Sequence, residues 1–175
     1  MTDYDFLLKF ELPEPNVNPE DFVDALYDAG CGDATVGIGQ HGRIALHFTR
    51  EADSAAEAVS SAIADVKKAV PQAKLIEATP DLVGLTDIAD ILGCSRQNIR
   101  KLVIGHRSIF PSPIHEGSAA IWHLANVLQW FKAKGSYAIE DSLIEVSKVA
   151  MQVNIARQMQ DLEPVFHRDI KALLA

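Results

Sequence analysis

The sequence predicts an α+β protein, and three observations carry that prediction. The first eighty residues alternate strand and helix signals in the order β-α-β-β-α-β. Two short amphipathic patterns then flank Gly93, and a helical tail with a heptad-like apolar stripe closes the chain. With 48% hydrophobic and 23% charged residues the composition is that of a chain that buries a core. Its 175 residues suffice for one ordinary domain or two small ones.

Phe6, Leu8, Phe10 and Leu12 alternate with other residues, a period-two strand ended by Pro13 and Pro15. Asn18-Pro19-Glu20-Asp21 reads as a helix start: an N-cap amide, proline at the first helical position and acids in the first turn. Phe22, Val23, Leu26 and Ala29 give that helix an apolar face, and Gly30 closes it. Strands are expected near 34–38 and 43–49, joined by a glycine-rich turn. Ser54 caps a second helix reaching to Val70, with Ala58, Ala62, Val66 and Val70 spaced by four, and Pro71 breaks it. Residues 74–78 supply a last strand. This order is that of a ferredoxin-like sandwich, two helices packed on one face of a four-stranded antiparallel sheet.

Thr79-Pro80-Asp81 reads as a short linker, which divides the chain into an acidic domain at 1–80, a middle domain at 81–135 and a helical segment at 136–175. In the last segment Ile139, Leu143, Val146, Ala150 and Val153 recur at spacings of 4, 3, 4 and 3. That stripe serves either a dimer interface or core packing within one subunit. After Glu163-Pro164, the residues Val165, Phe166, Ile170, Leu173 and Leu174 mark a short final helix.

Charge singles out the middle domain. Residues 1–80 hold 6 basic and 14 acidic side chains, and residues 136–175 hold 4 and 6. Residues 81–135 alone have a basic surplus, 6 against 4, although the whole chain stands at −8. Within that domain Thr86 is placed as an N-cap, with Ile88, Ala89, Ile91 and Leu92 turned toward a core. Gly93 allows a left-handed turn and Ser95 caps the next helix, in which Ile99, Leu102 and Val103 are buried. Arg96, Gln97, Asn98, Arg100 and Lys101 remain on the outer face. Two short helices about a glycine turn, the second with a polar and basic first turn, form a helix-turn-helix. Arg can bond guanine O6 and N7 bidentately, and Gln or Asn can do the same to adenine.

The continuation sharpens this reading. Gly105–Ile114 leads through a polar hairpin tip, His115-Glu116-Gly117-Ser118, to Ala119-Ala120-Ile121-Trp122, followed by a helix holding Val127, Leu128, Trp130 and Phe131. On Leu85-Thr86-Asp87-Ile88-Ala89, Leu92-Gly93-Cys94-Ser95-Arg96, Phe110-Pro111-Ser112-Pro113-Ile114 and the Trp122/Trp130 pair, residues 84–131 resemble the winged helix-turn-helix of AlpA-type phage regulators and excisionases, relatives of the MerR DNA-binding domain. The resemblance implies that Ser95–Lys101 enters the major groove and that His115–Ser118 forms a wing at the flanking backbone or minor groove. Thr86, His106 and Arg107 complete the expected DNA-contacting set. One departure is that Ala120-Ile121-Trp122 lacks the basic residue such proteins carry beside this tryptophan, so the wing is expected to make fewer phosphate contacts.

Other signals have plainer readings. Gly37-Ile38-Gly39-Gln40-His41-Gly42 spells G-x-G-x-x-G, but a strand pattern follows it where a dinucleotide site needs a helix, so a hairpin turn is expected. None of His41, His47, His106, His115, His123 and His167 shows zinc-site spacing with Cys31 or Cys94. Asp21, Asp24 and Asp28 form a solvated helical stripe or an acidic docking face. No nucleophile constellation is readable, and no catalytic residue, cofactor or metal is expected. Apolar runs are too short to span a bilayer, and an acidic N-terminus is unlike a signal peptide; both point to the cytoplasm.

The expectation is therefore a sequence-specific regulator, a repressor rather than an enzyme, binding double-stranded DNA as a homodimer. The alternative is an antitoxin-like interaction protein whose acidic first domain binds a protein partner. A third is a regulator with a small-molecule effector at that domain, on fold analogy alone.

Overall fold

The computed structural model describes residues 1–174. The chain is mixed α+β, with antiparallel strand pairings throughout and seven helices among the described residues. Strand β1 (Thr2–Glu11) is followed by a 3-10 turn at Pro19–Phe22 and helix α1 (Val23–Ala29), then strands β2 (Ala34–Gly37) and β3 (Arg43–Ala52), helix α2 (Ala55–Ala69) and strand β4 (Lys74–Thr79). The four strands form one sheet in the order β2-β3-β1-β4, each neighbour antiparallel. Alternation is the cause: Tyr4, Phe6, Leu8 and Phe10 from β1 and Ile44, Leu46 and Phe48 from β3 all bury on the face that meets α2. Fully burying one such side chain contributes about 1.5–3 kcal/mol.

The local signals act where they stand. The Asn18 side chain accepts from the Glu20 N–H at 3.2 Å, and the Ser54 Oγ accepts from Glu57 N–H at 3.2 Å. The G-x-G-x-x-G run is the connection between β2 and β3. There Gly42 has φ +71°, and a Cβ on it would meet the Pro15 carbonyl oxygen at 2.5 Å, so no larger residue fits without a shift. Asp21, Asp24 and Asp28 are all exposed.

Beneath the sheet lies a charge cluster that alternation alone does not suggest. Arg50 points inward from β3, at 8% exposure, and donates to both Asp33 carboxylate oxygens at 2.7 and 2.9 Å, to Asp65 at 2.8 Å, to Ser61 and to the Gly30 carbonyl. Those contacts, led by Asp33, raise the guanidinium further above its already high ordinary value. The cluster ties the end of α1 to β3 and α2.

The remainder comprises β5 (Leu82–Val83), α3 (Leu85–Leu92), α4 (Arg96–Gly105), a hairpin of β6 (His115–Glu116) and β7 (Ala120–His123), α5 (Leu124–Lys134), α6 (Asp141–Met159) and α7 (Pro164–Leu174). Strand β7 lies between β5 and β6 in a small second sheet. A second core gathers Val83, Ile88, Ile99, Trp122, Leu128 and Phe131.

One expectation is corrected here, and of two alternatives one is seen. The stretch 79–81 is not a loose linker. Asp81 is 1% exposed, its Oδ1 lies 2.6 Å from His123 Nδ1, and its Oδ2 accepts from Asn154 Nδ2 at 2.8 Å. Asn154 also accepts from Ala78 N–H and donates to Ala78 C=O, both at 2.8 Å, so α6 holds the end of β4 through one side chain. The chain crosses between the two cores here, and an unpaired carboxylate at such depth would be costly; the histidine and the amide supply its partners. The heptad-like stripe is likewise used inside the chain: Val146 and Ala150 belong to the first core, Ile144 to the second, and Leu143 packs against both. Helix α6 is thus a strut between the cores, and its stripe is not a free surface.

Among the described residues no helix is long and apolar enough to cross a membrane. No group of three or more His, Cys, Asp or Glu side chains among them is placed to hold a metal ion.

Candidate nucleic-acid interface

Helix α3 begins two residues before the position expected. Its N-cap is Gly84, and the Asp87 carboxylate reaches back to accept from the Gly84 N–H at 2.7 Å. Thr86 is therefore inside the first turn, exposed, and is not the cap. The acid at the third helical position supplies half of a capping box by taking up the Gly84 N–H, while Gly84, with no side chain, offers no acceptor to the N–H groups of the first turn. The helix stops at Gly93, whose φ of +65° is left-handed, and Cys94 N–H closes the turn on the Ala89 carbonyl at 2.9 Å.

Ser95 then caps α4 as expected, its Oγ accepting from Asn98 N–H at 3.2 Å. Ile99 is fully buried, with Leu102 and Val103 packed beside it. This sets the rotation of the helix, so that Arg96, Gln97, Asn98, Arg100 and Lys101 are all exposed. Those five, with exposed Arg107 just beyond the helix, form the polar and basic set expected on the outer face. Asp87 and Asp90 on α3 are the nearest exposed acids in sequence.

Four predicted contact residues have partners or positions that the sequence did not disclose. Asn98 donates from Nδ2 to the Tyr137 hydroxyl at 3.0 Å, so one of its amide hydrogens is engaged. The Tyr137 phenol is raised above its ordinary value, first by its contact with the Cys94 thiol and then by burial. His106 is half-buried: its Nδ1 sits 3.0 Å from the Leu102 carbonyl and its ring lies edge-on to Trp130, a capping and packing position. His115 and Ser118 are exposed at the hairpin, where the His115 ring covers Gly117 so closely that a Cβ there would lie 2.7 Å from Nε2.

The aromatic residues between these parts fix their geometry. Phe110 lies edge-on to Trp122, Trp130 and Phe131, with ring centroids 6.0, 4.9 and 6.2 Å away. Trp122 Nε1 donates to the Pro111 carbonyl at 3.0 Å, which pins the 110–113 loop to the hairpin. Lys134 stands 4.6 Å over the Trp130 ring, a cation–π contact that occupies one basic side chain away from α4. The exposed Lys132 is paired with Asp141, whose carboxyl it holds below its ordinary range. The Lys and Arg residues of the middle domain without an acidic or aromatic partner among the described residues are then Arg96, Arg100, Lys101 and Arg107.

The chain matches no protein-family model, no curated protein and no solved structure.

Proposed function

We propose that this chain is a sequence-specific DNA-binding transcriptional regulator that reads double-stranded DNA through a winged helix-turn-helix at about 84–131. One observation carries the reading: α4 buries Ile99 while Arg96, Gln97, Arg100 and Lys101 stand exposed on a helix that follows a left-handed glycine turn. Exposed Arg and Gln on the first turns of such a helix match the hydrogen-bonding edges of guanine and adenine. The hairpin of β6 and β7 takes the part of the wing. Its acidic Glu116 and neutral Ala120-Ile121 leave His115 and Ser118 as the side chains that reach DNA there. His106 is reassigned to packing, and Asn98 contacts a base only through the atoms that Tyr137 leaves free.

The first eighty residues, with their β2-β3-β1-β4 sheet, fit the ferredoxin-like arrangement expected of them, and this domain is the regulatory part of the proposal. Dimerisation belongs to the same proposal, but its seat moves. Helix α6 is spent on the chain's own cores, whereas α7 buries none of its side chains and exposes Val165, Phe166, Leu173 and Leu174. Two copies joined through α7 would present two recognition helices to a palindrome.

Selection of bound sequences from a random double-stranded library with the full chain tests this function. An enriched inverted repeat with half-sites about one helical turn apart is the expected result. Failure to enrich any motif at modest salt overturns the reading.

A further inference from the structure

We infer that the cleft between α2, β4 and α6 binds a small anionic molecule with an apolar body. The cleft has a volume of about 710 Å³, within the range of small-molecule sites. Four cations converge on it from four elements: Arg43 at the start of β3, Lys67 on α2, Lys74 on β4 and Arg157 on α6. Glu11 and Asp161 are the acids in its lining, which leaves a positive balance. That balance runs against its surroundings. Residues 1–80 contain 6 basic side chains among 14 acidic ones, and three of the six meet at this cleft.

Arg157 supplies the second, independent sign. Its Nε is buried and has no hydrogen-bond partner among the described residues. A buried guanidinium N–H without an acceptor is costly, and a small turn of the side chain toward a carboxylate or phosphate oxygen in the cleft removes that cost. Lys67 is held at the rim by donating to the Ala73 carbonyl at 2.8 Å, which leaves two ammonium hydrogens free. Ile63, Leu75 and Val153 provide an apolar lining beside the charges. An inorganic anion would leave that lining exposed to water, and an uncharged apolar molecule would leave Arg157 unanswered; a compound with both parts satisfies both. Arg157 lies three residues beyond Asn154 on α6, so the site adjoins the contact that joins the two cores. The binding claim does not depend on the DNA reading.

Calorimetric titration of the full chain with 1-naphthyl phosphate, 1-naphthol and inorganic phosphate tests it without DNA. The expected result is one-to-one binding of 1-naphthyl phosphate, with both other probes roughly tenfold weaker or more. Arg157→Gln and, separately, Lys74→Gln weaken that binding, whereas Lys68→Gln, outside the cleft lining, leaves it unchanged. Circular dichroism checks that each variant is folded, and the exposed Lys74 keeps the test decisive if Arg157→Gln does not fold. Equal affinity for 1-naphthyl phosphate and 1-naphthol, affinity unmoved by Lys74→Gln, or no binding at all overturns the inference.

Discussion

Asn154 donates a hydrogen bond to the buried Asp81 at 2.8 Å across 73 residues of chain. The same amide grips both backbone groups of Ala78. One side chain on α6 thereby fixes the end of the first sheet and the entry to the second core. Replacing it by the similarly sized Leu leaves Asp81 with one fewer donor and strands a buried N–H and C=O. Asn154→Leu is expected to lose roughly 2–4 kcal/mol of stability, more than a typical single hydrogen bond, because several buried groups lose partners together. Urea unfolding checks this. A loss within experimental scatter of wild type would show that the network carries little of the fold.

Gly93 gives a cleaner backbone test. Nothing lies within 4 Å of a Cβ placed on it, so Gly93→Ala meets no clash and its cost comes only from the left-handed φ of +65°. A loss of about 1 kcal/mol is expected, and Gly93→Asn should lose less, since Asn tolerates that region better. Equal stability of all three proteins by thermal melting would contradict the turn geometry.

Cys31 and Cys94 should differ in reactivity. Burial, with Asp65 nearby, pushes the Cys31 thiol up to about 11, and its side chain is 4% exposed. The thiolate is the reactive form, so iodoacetamide at pH 8 should modify the half-exposed Cys94 and spare Cys31 in the folded chain. The sign also fixes a pH effect. A thiol whose value is raised on folding stabilises the fold below its ordinary range and loses that contribution as pH rises through about 11. Cys31→Ala should therefore flatten the alkaline decline in melting temperature. Rapid labelling of native Cys31, read by mass spectrometry, would oppose the assigned burial.

Removing α7 separates assembly from folding. The helix buries no side chain within its own chain, so a chain ending at Asp161 should keep its folded circular-dichroism spectrum, while its unfolding midpoint loses the concentration dependence that dimerisation confers. Sedimentation should show the full chain as a dimer and the shortened one as a monomer. A shortened chain that still dimerises places the interface elsewhere.

Much of the architecture was legible because local signals and burial agree. Alternation at Phe6, Leu8 and Phe10 marks β1, and Ser54 and Ser95 cap the helices they precede. What escaped were contacts between elements distant in sequence. Asp81 looked like linker because its partners, His123 and Asn154, lie 42 and 73 residues away. A signal was present: Asn154 stands four residues after Ala150, on a face where Ser147 is the other polar residue, and a large polar side chain there calls for a buried partner. Arg50 escaped likewise, since it occupies an inward position of a strand where a hydrophobic residue is the rule. On α4, the pattern placed the exposed face correctly but could not show Tyr137 on Asn98 or Trp130 against His106. Both engagements come from residues outside the helix-turn-helix itself.

The central claim concerns what α4 does, and paired variants on a selected duplex test it most directly. Fluorescence anisotropy should show Arg96→Ala losing about 1–3 kcal/mol of discrimination between the selected site and a scrambled one. Lys101→Ala should weaken both duplexes alike and reduce the salt slope by about one. If both variants bind the selected duplex as wild type does, with the same salt dependence, α4 is not the reading helix and the proposed function fails.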